Sequence, residues 1–348
     1  MCLNWFTQDI GIDLGTANTL VYIRNKGIVL NEPSVIAEDV RTKKIFAVGK
    51  AAKDMIGRAP VDLRVVRPLE DGVISDLEMA QAMLREFLHR VLPDRALFKR
   101  VRIVVGVPSG VTGVEKRAVE EVARQMGARD VFILDESMAA AIGVGIPVEE
   151  ASGHMIADIG GGTSDISIIS LGGVVTSTSL RDAGDEMDEA IVNYMRKNDN
   201  LLIGESTAEQ IKIQVGAALI RPDVPGDDLE MTAKGRDVFT GLPKAVTIRT
   251  RDVVEALQES LATLLDGVKH TLEQAPPELA ADIAQSGIWL AGGGALLRNL
   301  DVLIALETGL DVHVAENALE AVAYGTGKSL ENLDLLRRTA LTEGRKYY

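Results

Sequence analysis

The chain has 348 residues, 46% hydrophobic and 25% charged, which suffices for one large or two medium packed domains and excludes disordered and collagen-like classes. With 51 acidic against 37 basic residues the formal charge is −14, so neither general nucleic-acid binding nor plain electrostatic adhesion to anionic lipid is expected. A single cysteine, Cys2, leaves no intrachain disulfide and fits a reducing cytoplasm; no apolar run reaches the roughly 18 residues of a bilayer span, and the first residues lack a secretion signal.

Taken in order, Ile10–Ile23 reads as two strands joined at Gly15-Thr16-Ala17-Asn18, with another strand at Ile45–Val48. Apolar residues at helical spacing (Met79, Met83, Leu84, Phe87, Leu88, Val91) predict a helix over Glu78–Val91. Val101–Val107 is a continuous apolar run, as in a buried strand. A helix over Val114–Met126 ends at Gly127, followed by a strand at Val131–Leu134 and a helix through Met138–Gly143.

The pattern then restarts. Strands at Met155–Ile159 and Ile166–Leu171 flank Gly160-Gly161-Gly162-Thr163, and Ala157-Asp158-Ile159-Gly160-Gly161 echoes Ile12-Asp13-Leu14-Gly15-Thr16. Each half sets a buried strand and a helix after its Asp-x-Gly turn, which reads as an internal duplication of one α/β unit. Helices follow near Met187–Arg196 and Ala208–Leu219, then a loop at Arg221–Leu229. A long helix over Val253–Leu272 ends at Pro276-Pro277; a strand at Ile288–Leu290 runs into Gly292-Gly293-Gly294, with a helix from Ala295. Residues Arg337–Tyr348 read as frayed.

No Walker loop and no G-x-G-x-x-G in a βαβ unit is present. Instead, glycine at each Asp-x-Gly hairpin lets backbone N–H groups approach a phosphate, and Thr16, Asn18 and Thr163 add short donors. An aspartate beside a phosphate repels it unless a cation intervenes, so Asp13 and Asp158 read as ligands of magnesium, directly or through water. Two such turns would clamp a triphosphate from both sides. Either turn alone is better explained as an ordinary hairpin; the duplication favours the ligand. The third glycine turn suits approach to a ribose, an α-phosphate or a base. His89, His154, His270 and His313 lack zinc-ligand spacing.

These motifs resemble the actin-like ATPase superfamily. Ile12-Asp13-Leu14-Gly15-Thr16-Ala17-Asn18-Thr19 looks like its first phosphate loop, Asp158-Ile159-Gly160-Gly161-Gly162-Thr163 its second, and Leu290-Ala291-Gly292-Gly293-Gly294-Ala295 its adenosine motif. Within it, Gly27–Ser34, Arg67-Pro68 through Asp71-Gly72-Val73-Ile74, Leu201–Glu205 and Pro276–Ala280 resemble MreB and its paralogues, over residues 8 to 330. The resemblance implies an α/β, actin-like ATPase fold with two duplicated domains flanking a nucleotide cleft. Domain I would comprise 1–139 and 321–348, with a small subdomain inserted at about 32–76. Domain II would comprise 140–320, with one at about 181–251.

By the same resemblance, ATP and magnesium are the cofactors. Gly15, Thr16, Ala17, Asn18, Gly160, Gly161, Gly162 and Thr163 would hold phosphates; Glu209, Lys212, Gly292, Gly293, Gly294 and Ala295 would hold the nucleoside. Glu136 matches the residue that orients the attacking water, with Thr163 beside it; read alone, Glu136 is a capping or surface carboxylate. The chain departs from the family pattern at Ser137, where proline is usual, and at Ala291 and Asp165. The resemblance further implies slow ATP hydrolysis coupled to polymerisation in paired protofilaments. These would lie on the inner face of the cell membrane, with partners in the cell-elongation machinery and a role in rod shape. Leu3, Trp5 and Phe6, and Leu97 and Phe98 beside Arg95, Lys99 and Arg100, are the lipid-contact candidates. A segregation or organelle-positioning actin is the runner-up; a small-molecule kinase of this fold would need an acceptor pocket with a catalytic aspartate, for which no motif appears.

Overall fold

The computed structural model describes residues 7–92, 100–109, 111–125, 127–221 and 223–340. Leu3, Trp5, Phe6, Leu97 and Phe98 lie outside them, so the expected membrane elements have no structural account.

The first half opens with an antiparallel meander, β1 (Thr7–Leu14), β2 (Asn18–Ile23) and β3 (Gly27–Pro33). An excursion follows: β4 (Ile36–Asp39), β5 (Ile45–Val48), α1 (Lys50–Lys53), β6 (Leu63–Val66), β7 (Leu69–Glu70) and β8 (Val73–Ile74), in which β5-β4-β6 form a small sheet of their own. The chain returns through α2 (Leu77–Val91), β9 (Arg100–Val107), α3 (Gly113–Gln125), β10 (Ala128–Asp135) and α4 (Glu136–Val144). Strand β9 pairs parallel to β1 and to β10, giving the order β10-β9-β1-β2-β3.

The second half repeats this plan. A meander of β11 (His154–Ile159), β12 (Ser164–Ser170) and β13 (Gly173–Leu180) leads to a larger excursion. It comprises α5 (Gly184–Asn198), β14 (Leu201–Leu202), α6 (Glu205–Val215), β15 (Glu230–Asp237), β16 (Pro243–Arg249) and α7 (Thr250–Ala256). Then come α8 (Gln258–Glu273), α9 (Pro277–Ser286), β17 (Ile288–Ala291), α10 (Leu300–Thr308), β18 (Val312–Val314), α11 (Ala321–Ser329) and α12 (Leu333–Thr339). The sheet order is β13-β12-β11-β17-β18, with β17 parallel to both β11 and β18. Strand for strand this is the first sheet again, so the duplication read from two short motifs extends through the whole core.

Packing follows from the sequence. The first core joins Ile10, Ile12 and Ile103 of the sheet to Met83 and Phe87 of α2; the second joins Ile166, Ile168 and Leu290 to Met187 and Leu264. A third cluster, with Val104, Leu134, Met138, Ile156, Ala321 and Leu336, ties the halves together. At its centre α4 crosses α11 so closely that a Cβ on Gly325 would overlap the Ala139 carbonyl and one on Gly143 the Ala321 carbonyl.

Four sequence expectations shift. The run Val253–Leu272 is two helices, α7 and α8, divided where the fully buried Leu257 adopts a tightened backbone (φ −87°, ψ −1°). Helix α6 stops at Val215, because Ala217 leaves it to bridge Arg298. The same bridge holds the segment after Gly292-Gly293-Gly294 as a short 3-10 turn (Gly294–Leu296), so α10 begins only at Leu300. Arg337 and Arg338 lie in α12, capped by the Asn332 side chain, and so are not frayed.

Candidate functional site

The two Asp-led hairpins face each other. The first turn is held from beneath by Ser34, whose hydroxyl donates to the Gly15 carbonyl (2.6 Å) and whose amide donates to the Ala17 carbonyl (3.0 Å). The second is closed by the Gly160 amide donating to the Thr163 carbonyl (2.8 Å), and the Asp185 amide at the start of α5 binds the Gly161 carbonyl (2.7 Å). A Cβ on Gly161 would stand 2.6 Å from that of Ala17, and one on Gly162 2.8 Å from Thr16 Oγ1, so only glycine lets the turns meet. From the first excursion, the Gly72 amide donates to Thr16 Oγ1 (3.0 Å).

A cavity of about 400 Å³ opens between these turns. All the sequence-predicted nucleotide residues line it except Ala295, which is buried behind the third glycine turn. The outer end is apolar: Ile213, Leu296 and Leu319 stand exposed there at 73%, 59% and 38%, large side chains that a planar ligand would cover. Asp185, Asp188 and Arg298 also line the cavity and were not anticipated, because nothing local in the sequence marks them.

The floor is a set of carboxylates. Burial pushes the half-buried Asp13 up to about 7. Asp158 is held well above the usual carboxylate range by burial, then by Asp13, Asp165 and Asp135. Glu136, 8% exposed in the first turn of α4, is likewise raised by burial and then by Asp13, Asp165, Asp158 and Asp135. Asp135 rises to about 6, chiefly through burial. Such a cluster is costly without positive charge nearby. Among the described residues no three His, Cys, Asp or Glu side chains converge on one point as a closed metal site. The carboxylates of Asp13 and Asp158 are hard oxygen donors of the kind a magnesium ion takes together with water and phosphate.

Glu209 and Lys212 reach the cavity but are partnered. Lys212 Nζ sits 2.9 Å from Asp188 Oδ1 and donates to the Gly184 carbonyl. Glu209 is paired at 2.7 Å with Lys53, which comes from the first excursion. Arg67, from the same excursion, binds Asp185 (3.3 Å) and Glu205 (3.2 Å). Three ion pairs thus join the two excursions across the mouth of the cleft.

Residues 7–338 match a family described as MreB/Mbl protein. The chain is 49% identical over 335 residues to the cell shape-determining protein MreB of Escherichia coli (strain K12), covering 95% of each. It is 47% identical over 337 residues to the cell shape-determining protein Mbl of Bacillus subtilis (strain 168), covering 97% of this chain and 100% of that one. Its structure matches that of MreB5 of Spiroplasma citri bound to AMPPNP, with a TM-score of 0.89 at 40% identity over 94% and 97% of the two chains.

Proposed function

The chain belongs to the MreB/Mbl family of bacterial actins, and from that premise we propose that it is an ATP-driven filament protein that maintains cell shape. Its actin-like fold would close two domains, with the boundaries given above, on ATP, and slow hydrolysis would accompany polymerisation into paired protofilaments. The filaments would lie on the inner face of the cell membrane and organise wall synthesis with membrane proteins of the elongation machinery. Among the described residues no helix is long and apolar enough to cross a membrane; the proposed attachment is peripheral. Many weak contacts along one filament would supply it by avidity.

One observation carries this reading: two duplicated hairpins, each led by an aspartate that lines the same cavity, meet across a space large enough for a nucleotide. In it, the backbone of residues 15–18 and 160–163 would cradle the phosphates, with Thr16, Asn18 and Thr163 adding side-chain donors. The nucleoside would lie against Ile213, Leu296 and Leu319, with Glu209 at the ribose. Asp13 and Asp158 would hold magnesium, which supplies charge neutralisation of the phosphates. In-line attack on a terminal phosphate needs a positioned water more than a strong base. Glu136, anchored at the head of α4, would accept a hydrogen bond from that water, and Thr163 would sit beside it.

The test is sedimentation and electron microscopy of the full chain with ATP, with and without anionic vesicles. Filaments that form with ATP and coat vesicles are expected. ATP binding without polymer, together with phosphorylation of an added small acceptor, would replace this reading with a kinase.

A further inference from the structure

The proposed mechanism gives Ser137, where the resemblance implies a proline, no role. The structure places it in a chain of hydroxyls, buried at Ser137 and Ser167 and half-buried at Ser109, running from one half of the molecule to the other. Ser167, on β12 of the second sheet, donates to Ser137 Oγ at 2.8 Å. Ser137 Oγ lies 3.4 Å from the hydroxyl of Ser109, which follows β9 of the first sheet. The Ser109 amide in turn donates to Asp165 Oδ1 on β12 (2.9 Å). Ser137 and Ser167 are fully buried, and Asp165 is 1% exposed. Buried hydroxyls are retained where each has a partner: Ser137 Oγ accepts from Ser167 and pairs with the Ser109 hydroxyl, and the Ser109 amide is bound to Asp165.

The position of this chain matters more than its strength. Ser137 is bonded in sequence to Glu136, and its amide donates to the Asp135 carboxylate (3.0 Å) that caps α4. The same first turn is therefore held from the first half by Asp135 and Ser109 and from the second half by Ser167. Asp165 sits directly opposite Asp158 in the β11–β12 ladder. A shift of the second phosphate hairpin relative to α4 must stretch or break the hydroxyl chain.

We infer that Ser137, Ser109 and Ser167 form an interdomain tie that sets the position of Glu136 relative to the second phosphate turn, making Ser137 a positioning residue for hydrolysis. The inference rests on the proposed reading of the cleft as an ATPase site. A proline at 137 is compatible with the first turn of a helix, but it would remove both the amide donor and the hydroxyl. Hydrolysis would then depend on the Asp135 cap alone to place the acid.

The test uses the full-length protein with ATP as probe, separating affinity (titration of a fluorescent ATP analogue) from single-turnover hydrolysis. Ser137→Ala and Ser167→Ala are each expected to slow hydrolysis about tenfold, since small misplacements in near-attack geometry are costly. ATP affinity should stay within about twofold. The double variant should be no slower than either single one, because the two hydroxyls act as one unit. Ser170→Ala, a buried change on the same strand, should leave the rate unchanged. Rates for Ser137→Ala and Ser167→Ala within about twofold of wild type, or losses that multiply in the double variant, would overturn the tie. If Ser137→Ala fails to fold, Ser167→Ala and Ser137→Pro decide by the same rate criterion. Failure of the wild-type protein to bind ATP would instead remove the reading beneath it.

Discussion

In the first half, β9 and β10 lead to α4, whose first residue Glu136 lies at the cleft floor beside Asp13. At the matching point of the second half, β17 and β18 lead to α11 through Glu320 and Ala321. There the helix start bears no buried acid; Ala321 instead presents its carbonyl to Gly143 of α4. The two excursions differ as well: the first supplies Lys53 and Arg67, and the second supplies their acceptors, Glu209, Asp185 and Glu205. Duplication thus produced one scaffold twice, and the copies have diverged in what they put at equivalent places. In the proposed reading one would carry the acid and the other the nucleoside wall, each needing the other to complete the site.

The sharpest way to break this comparison is to exchange a carboxylate at corresponding points. Glu136→Gln should lower single-turnover ATP hydrolysis by about 10²- to 10³-fold with ATP affinity nearly unchanged, whereas Glu320→Gln should alter the rate less than about twofold. Equal losses would mean that the halves are not specialised. The next effect is on the crossing that joins them. Gly325→Val places side-chain atoms on the Ala139 carbonyl and should cost about 3 kcal/mol in urea unfolding, with no such penalty for Gly309→Ala beyond its local left-handed turn.

A third test uses pH. Asp135 is raised from the ordinary 3.8 to about 6 in the folded, nucleotide-free protein. Between about pH 4 and 6 the folded state keeps a proton that the unfolded chain has released, so stability falls as pH rises through that window. Asn also caps helices well, so Asp135→Asn should keep α4 in place and flatten part of the fall in Tm. The smallest effect concerns the cleft mouth. Lys53→Ala removes a partly exposed ion pair and should speed release of a fluorescent nucleotide only about twofold.

Much of this arrangement is legible in the chain itself. The two hairpins announce themselves because an aspartate two residues before a glycine, set between apolar runs, occurs twice. The central strands read clearly because Ile103–Val107 on β9 and Ile166–Ser170 on β12 are buried on both faces, although Leu171, read as part of the second run, lies exposed beyond the strand end. The strands of the excursions were not anticipated apart from β5. Strand β16 there, like β13 at the edge of the second sheet, is mostly exposed, and its apolar residues stand out little against a polar background. Pro276-Pro277 reads as the end of a helix, yet Pro277 also starts α9, a first-turn position that tolerates a residue without an amide hydrogen. The ion pairs across the cleft and the hydroxyl chain escape sequence reasoning for a different reason. Lys53 and Glu209, or Ser137 and Ser167, are brought together only by the packing of one half on the other.

The most direct measurement is a crystal structure of the full chain grown with magnesium and a non-hydrolysable ATP analogue. The account predicts a single triphosphate lodged between residues 13–18 and 158–163, the metal near Asp13 and Asp158, and the terminal phosphate nearest Glu136. An analogue bound elsewhere, with the glycine turns still touching and the carboxylate floor empty, would contradict it.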